Sequence, residues 1–387
     1  MSNLYRSAVT ANINKFAQVP TIAPFADENL EEFDEEEEEN DSLGSLPSSF
    51  QPKAPRSLQK RTPNPDYAPI SAEGYFAQAV EVSVQASGLN FRVYYTPPVI
   101  PDNDSGKGTV MVCHHGAGYS GLSFACFAKE VRDRTGGECG VLAMDARRHG
   151  KTKPIDDKIS DKDLSINVLA NDAYNLLSVL FPNPAEAPIF LLVGHSMGGS
   201  VLTRVCPTLL AHKYQVTGVS VLDVVEGSAI DALPHMHQLL NSRPDGFDSI
   251  EEAVEWHVSN HTIRNPHSAR ISIPSLFLPA PQGTPGPSFR WRTPLRSTSS
   301  YWESWFKGLS SSFLSVRAAR LLVLAGTDRL DKELMIGQMQ GKFQLVVVPD
   351  TGHMIHEDNP ERLAEILVEF WKRNERVIVG VKKVGEL

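Results

Sequence analysis

A pentapeptide near the middle of the chain, Gly194-His195-Ser196-Met197-Gly198, has the spacing G-x-S-x-G. This spacing is typical of a nucleophile elbow, in which a serine hydroxyl is exposed at a strained strand-to-helix turn. The flanking glycines permit so tight a turn because they have no Cβ atom. The apolar run FLLV precedes the pentapeptide, and SVLTRVCPTLLAH, which reads as a helix, follows it. The sequence therefore predicts that Ser196 is a catalytic nucleophile.

A serine nucleophile needs a histidine that takes its proton. Two histidines, His353 and His356, occur in PDTGHMIHEDNP after the last predicted strand. His353 follows Gly352, where the chain turns out of that strand, whereas His356 is expected to begin the next helix. We therefore predict His353 as the general base, with His356 as the alternative.

Two aspartates are candidates for the carboxylate that orients the base. Asp328, in LLVLAGTDRLD, follows the penultimate predicted strand. Asp223, in VSVLDVVEG, ends the strand that follows the nucleophile helix. The pattern of strands alone favours Asp328 and leaves Asp223 open.

The developing oxyanion of acyl transfer needs backbone N–H donors. The residue after the nucleophile supplies one of them, which predicts Met197. The second is expected from the glycine-containing loop His115-Gly116-Ala117-Gly118 after an early strand, and Ala117 is the predicted donor.

Short apolar runs recur along the chain and are typical of strands buried on both faces. They are GTVMVCHHGAG, GVLAMD, PIFLLV, VTGVSVLD, RLLVLAG and FQLVVVP. Between them, apolar residues recur at helical spacing, as at Leu169, Ala173, Leu176 and Leu180. Two alternating segments, AVEVSVQ and FRVYY, precede the runs and predict an antiparallel pair at the edge. The sequence thus predicts an α/β protein of the α/β-hydrolase fold, with a mostly parallel sheet covered by helices on both faces.

Two regions depart from this alternation. Residues 1–72 contain an acidic run at 27–41 and a Ser- and Pro-rich stretch, and we expect them to be disordered. The hydrolase domain is expected to occupy residues 73–387. Residues from 224 to about 318 contain helical pieces but no clear buried strand, so we expect a helical cap inserted over the site.

The net charge of −9 is concentrated in residues 27–41, which hold eleven acidic side chains and no basic one. Neither charge nor composition favours nucleic-acid binding. No stretch of apolar residues is long enough to span a membrane, and no secretory signal is expected at the N-terminus. The four cysteines lack metal-ligand spacing, so we expect no metal site and reduced thiols in the cytoplasm or nucleus.

From about Tyr75 to Pro360, the sequence of this chain resembles those of the protein phosphatase methylesterases. The segments that carry the resemblance are GAGYSGLSFA, MDARRHGKTK, VGHSMGGS, LDVVEGSAIDAL, YWESWFKGLSSSFLS, LLVLAGTDRLDKELMIGQMQGKFQ and GHMIHED. The resemblance implies a cofactor-free esterase that removes the methyl ester from the C-terminal leucine of the type 2A protein phosphatase catalytic subunit. It also implies Ser196 as nucleophile, His353 as base and Asp223, in DVVEG, as acid, so Asp223 is preferred and Asp328 is the alternative.

The acyl side of such a substrate is a protein tail, which makes the cap the expected recognition surface. Its aromatic residues Trp302, Trp305 and Phe306 are candidates for lining that surface or for packing the cap. Its arginines Arg290, Arg292 and Arg296 are candidates for meeting acidic groups of the tail. Two alternatives remain open: a small-molecule carboxylesterase or thioesterase, and a non-catalytic phosphatase-binding protein.

Overall fold

The computed structural model describes residues 62–99, 107–326 and 330–378. The acidic run at 27–41 lies outside the described residues, as do the rest of residues 1–61 and the alternative acid Asp328. Across the described ranges, no helix combines the length and the apolar character needed to cross a membrane.

The strands are numbered here in chain order. They are β1 Gln78–Val84, β2 Leu89–Thr96, β3 Thr109–His114, β4 Cys139–Met144, β5 Lys153–Pro154, β6 Ile189–His195, β7 Val216–Leu222, β8 Gly246–Phe247, β9 Phe277–Pro279, β10 Phe289–Trp291, β11 Ala319–Leu324 and β12 Gln344–Val347.

The helices follow the same convention. They are α1 Ala125–Thr135, α2 Ile166–Leu180, α3 Met197–Ala211, α4 Glu226–Asn241, α5 Ile250–Ser259, α6 Pro266–Ser272, α7 Ser299–Phe306, α8 Leu309–Ser315, α9 Lys332–Met339, α10 Ile355–Asp358 and α11 Pro360–Ile378.

The central sheet has nine strands in the order β1-β2-β4-β3-β6-β7-β11-β12, with β5 paired to β2. The pairs β1–β2 and β2–β4 are antiparallel, and the pairs from β4 through β12 are parallel. This mixed, mostly parallel sheet confirms the predicted fold, including the antiparallel pair at its edge. The carboxyl ends of β3, β6 and β7 lie side by side, and this is where the predicted site residues begin.

Helices cover both faces of the sheet. All residues of β3 are buried, as the uninterrupted apolar run predicts for a central strand. Helices α1 and α11 pack against each other on one face, and α2 and α3 pack together on the other. Full burial of one large apolar side chain stabilises the fold by roughly 1.5–3 kcal/mol. The two helical layers therefore stabilise the sheet whose strand ends carry the predicted site residues.

Residues 224–318, expected above to form the cap and called the cap here, lie between β7 and β11 and contain helices α4 to α8. It is not purely helical: β8, β10 and β9 form a separate antiparallel sheet. These strands are only two or three residues long, which is too short to produce a recognisable alternation in sequence. The cap also has its own apolar cluster, which includes Phe247, Ile263 and Phe277. Met354, from the segment after β12, belongs to this same cluster.

Residues 62–72, expected above to be disordered, lie against the cap. Asn64 caps a short 3₁₀ turn at Pro65–Tyr67 through its side-chain oxygen. The Ile70 amide donates to the Arg270 carbonyl at 3.0 Å, and the Arg270 Nε donates to the Ala68 carbonyl at 2.7 Å. The composition of this stretch hides the packing because the partner lies about two hundred residues away in sequence.

Candidate active site

Ser196 stands at the junction between β6, which ends at His195, and α3, which begins at Met197. Its backbone has φ 52° and ψ −119°, a strained conformation for a residue with a side chain. A Cβ atom at position 194 would lie 2.3 Å from the Gly198 carbonyl oxygen, so only glycine fits there. Ser196 lines an internal cavity although the residue is only 5% exposed. The local geometry is that of a nucleophile elbow.

Asp223 follows β7 directly and is hydrogen-bonded to His353. One carboxylate oxygen, Oδ2, lies 2.8 Å from His353 Nδ1, and the other, Oδ1, accepts from the Ala325 amide at 2.8 Å. Asp223 also has a positive φ of 51°, which turns its side chain out of the strand end. A carboxylate can only accept, so the pairing places the imidazole proton on Nδ1 and a lone pair on Nε2, as a general base requires. His353 lines the same cavity as Ser196.

His356 lies elsewhere. Its ring stacks on Phe124 with centroids 4.3 Å apart, and neither ring nitrogen has a hydrogen-bond partner among the described residues. Complete burial is the main reason that the pKa of His356 is lowered to about 3. The structure thus brings His353, and not His356, to Asp223.

Two further histidines fix the loop after β3. Nδ1 of His115 lies 2.7 Å from the Gly116 carbonyl, and its Nε2 accepts from the Ala146 amide at 3.0 Å. The Gly118 amide donates to Nε2 of His149 at 2.9 Å. Burial lowers the pKa of His149 to about 4, which keeps its ring neutral and able to accept near neutral pH.

The two predicted oxyanion donors are not used by these hydrogen bonds. The amides of Ala117 and Met197 have no acceptor within the parts of the chain that the structure describes. Met197 is the first residue of α3, where no intrahelical partner exists for an amide. Ala117 lines the cavity beside Ser196, whereas the neighbouring Gly118 amide is already occupied. The pair remains the predicted oxyanion hole.

The cavity in front of Ser196 has a volume of about 220 Å³ and is mostly apolar. The cap supplies much of its wall, including Trp302, Trp305 and Phe306, which are only 3–4% exposed. These aromatic residues therefore line the cavity and pack the cap at the same time. Further apolar lining residues are Leu233, Met236, Leu239, Leu240, Trp256, Leu276 and Leu295.

A second, more open cavity adjoins the first and is called the basic cleft here. Its charged lining residues are Arg243, Asp245, Arg290 and Arg296. Two of the three predicted arginines are therefore at the cleft. Arg292 is not among the lining residues, and its guanidinium donates to the Ser275 and Phe277 carbonyls. Arg243 lines both cavities. It was not among the predicted residues because it belongs to no local motif.

The segment that carries His353 is tied to the cap by the two acids that follow it. Asp358 Oδ2 accepts from the Gly352 amide at 2.6 Å, and its Oδ1 accepts from the Arg264 amide of the cap at 2.7 Å. Glu357 accepts from the Ser272 hydroxyl of α6 at 2.5 Å. Burial raises the pKa of the Glu357 carboxyl well above its usual range. The acid pair thus connects the segment of His353 to the cap.

No group of three or more His, Cys, Asp or Glu residues is arranged to hold a metal ion in the three described ranges. The polar groups around the cavity instead form the hydrogen-bonded Asp223–His353 pair and the loop after β3. What they can do together is accept a proton, orient an imidazole and present amides to an anion.

Comparison with known proteins gives matches over most of the chain. A sequence model of the alpha/beta hydrolase family matches residues 111–366. A relative from Cryptococcus neoformans named protein phosphatase methylesterase 1 is 45% identical, covering 100% of this chain and 96% of the relative. Relatives of the same name from Aspergillus fumigatus and Gibberella zeae are 42% and 46% identical and cover 100% and 81% of this chain, or 93% and 77% of their own lengths.

Solved structures share the fold at lower identity. E-2-(acetamidomethylene)succinate hydrolase superimposes with a TM-score of 0.58 at 20% identity, covering 76% of this chain and 100% of that one. A thioesterase domain from the curacin biosynthetic pathway gives a TM-score of 0.53 at 16% identity, covering 75% and 98%. At these identities the likeness bears on the fold alone.

Proposed function

The chain belongs to the protein phosphatase methylesterases within the α/β hydrolases, and from this membership we propose its substrate and its catalytic residues. The substrate is the methyl ester on the C-terminal leucine of the catalytic subunit of type 2A protein phosphatase. The observation that carries the proposal is that His353, which is paired with Asp223, lines the same cavity as Ser196. The enzyme works as a serine esterase without a cofactor.

In the proposed mechanism, His353 removes the proton from Ser196 as the hydroxyl attacks the ester carbonyl. Asp223 holds the proton on Nδ1 and stabilises the imidazolium that forms. The amides of Ala117 and Met197 bind the oxyanion, and one such donor is worth roughly 3–4 kcal/mol. Methanol leaves with the proton that His353 returns to it, and water then hydrolyses the acyl-enzyme by the same route.

Recognition must come from the acyl side, because the leaving group is a single methanol molecule. The apolar cavity suits the leucine side chain, since its cap wall is built from aliphatic and aromatic residues. The phosphatase itself is the proposed protein partner. We also propose a reducing compartment, the cytoplasm or nucleus, because all four cysteines are buried free thiols.

The test is incubation of the full chain with methylated phosphatase catalytic subunit, followed by the mass of the C-terminal peptide. Loss of one methyl ester by the unaltered chain, and not by Ser196→Ala, is the expected result. Turnover of free acyl esters or thioesters with no change in the phosphatase would instead identify a small-molecule esterase. Binding of the phosphatase without turnover of any ester would identify a non-catalytic partner.

A further inference from the structure

Arg243 occupies the wall shared by the active-site cavity and the basic cleft. It follows α4 and lines both spaces, together with Leu240 and Leu295. Its guanidinium carbon lies 3.3 Å above the ring centroid of Trp291, at cation–π distance. Trp291 is itself fixed, because its Nε1 donates to the Pro244 carbonyl at 2.7 Å. The Arg243 guanidinium is therefore held in a defined position in the wall between the two cavities.

This half-buried charge has no anionic partner among the described residues. No carboxylate in residues 62–99, 107–326 or 330–378 forms an ion pair with Arg243, and its guanidinium donates no hydrogen bond to a described residue. Burial, the larger cause, and the neighbouring Arg296 lower the pKa of Arg243 to about 10, so it stays charged at neutral pH. An unpaired, partly desolvated cation costs free energy unless a ligand supplies the opposite charge.

The cleft around Arg243 is positive. Arg290 and Arg296 also line it, and Asp245 is the single acidic residue among its described lining residues. Asp245 is already paired with Arg296 at 3.2 Å, and its side chain is 83% exposed. Arg290 donates to the Pro285 carbonyl and meets no carboxylate in the described chain. The cleft thus carries positive charge that the described residues do not neutralise.

We propose that Arg243 is a specificity-determining residue that binds a carboxylate side chain located upstream of the methyl ester in a peptide substrate. The inference rests on the proposed function, since a peptide that places its esterified leucine at Ser196 must extend away from the inner cavity. Because Leu240, Arg243 and Leu295 line both spaces, a chain that runs from Ser196 into the basic cleft passes Arg243. The substrate class is therefore an acidic peptide methyl ester.

The test compares short N-acetylated peptides that end in leucine methyl ester and carry either Asp or Asn at each upstream position in turn. At one position the unaltered chain is expected to have about tenfold or more higher kcat/KM for the Asp peptide, as a charge-assisted hydrogen bond predicts. In Arg243→Met this ratio falls to about one, and in Arg243→Lys it is intermediate. General damage to the cap affects both peptides equally and cancels in the ratio.

Arg134→Met is the matched control, because Arg134 lies on α1 and pairs with Glu130 at 3.5 Å, outside both cavities. Its Asp-to-Asn ratio should equal that of the unaltered chain. A ratio near one at every position in the unaltered chain, or a ratio that survives Arg243→Met, overturns the proposal.

The same peptides are also assayed as competitors of a small activated ester. If neither peptide ester is hydrolysed, the proposed function fails, while the ratio of inhibition constants still decides the role of Arg243. A second pair of competitors, again with Asp or Asn at that position, carries a free C-terminal carboxylate. If Arg243→Met weakens inhibition by the free acids alone, the arginine binds the product carboxylate and the proposal is wrong.

Discussion

Replacing Asp223 with asparagine keeps the shape of the side chain but changes which atoms can accept hydrogen bonds. In the unaltered chain the Asp223 carboxylate accepts two hydrogen bonds, one from the Ala325 amide and one from Nδ1 of His353, each at 2.8 Å. The Ala325 amide can only donate, so it takes the single carbonyl oxygen of the asparagine. The asparagine –NH₂ then faces His353 and forces Nδ1 to accept.

In this tautomer the His353 proton sits on Nε2, which can no longer accept the proton of Ser196. A change of this kind costs roughly 10⁴ in kcat, about 5.5 kcal/mol of transition-state stabilisation. The fold should survive although Asp223 is buried, because asparagine has nearly the same size and shape as aspartate. We therefore expect a deep loss of kcat with a thermal midpoint lowered by only about 2–4 °C or less.

The assay is steady-state hydrolysis of a small activated ester and of methylated phosphatase, with the thermal midpoint measured alongside. Asp331→Asn is the matched control: Asp331 caps α9 by accepting from the Leu334 amide at 3.0 Å, and asparagine caps equally well. If Asp223→Asn keeps more than about a tenth of kcat, the tautomer argument is refuted. A deep loss in Asp328→Asn alone would then identify the alternative acid.

Four more outcomes are expected. Ser196→Ala should lose hydrolysis and labelling by a fluorophosphonate probe while keeping the circular dichroism of the unaltered chain; retained labelling would identify another nucleophile. Burial lowers the pKa of His149 to about 4 in the folded chain. As pH falls from about 6.5 towards 4, this imidazole therefore takes up a proton in the unfolded chain before it does so in the folded chain, which reduces the free energy of unfolding. His149→Gln should reduce that loss by about 2 kcal/mol between pH 6.5 and 5 in urea titrations, and an unchanged slope would contradict it. Asp358→Ala removes the acceptor of the Gly352 and Arg264 amides, so we expect about 1–3 kcal/mol less stability by urea titration and a lower kcat; unchanged kcat would mean that the acid does not position His353. Deleting residues 1–61 should leave hydrolysis of a small ester unchanged, whereas deletion through Ile70 should lower the thermal midpoint by removing the contacts with Arg270; equal midpoints would show that those contacts do not stabilise the cap.

The sequence was sufficient for the sheet and for the elbow because both depend on local pattern. A run such as FLLV predicts a buried strand wherever it lies, and the glycines of GHSMG specify the turn. His353 could be predicted because a glycine marks the exit from the last strand. The resemblance was needed for Asp223, since strand order alone pointed to Asp328. The structure pairs Asp223 with a histidine 130 residues away, and no local signal records this.

The cap was harder to predict because its structure depends on contacts between residues that are far apart in sequence. Its strands are too short to alternate visibly, and β10 pairs with β8 across more than forty residues. Arg243 stood out in no motif, because its position over Trp291 and between two cavities depends on how distant segments pack. Contacts of this length carry little trace in the order of the residues.

The attachment of the His353 segment to the cap limits how this enzyme can be remodelled. Met354 is buried in the apolar cluster of the cap, and Asp358 joins the Gly352 amide to the Arg264 amide. A rigid-body swing of the cap would pull on the peptide that holds the base. The cap is therefore not an exchangeable module: grafting one from another hydrolase would transplant substrate preference only together with a displaced histidine. Single substitutions among the cap residues that line the cavity would leave this attachment in place.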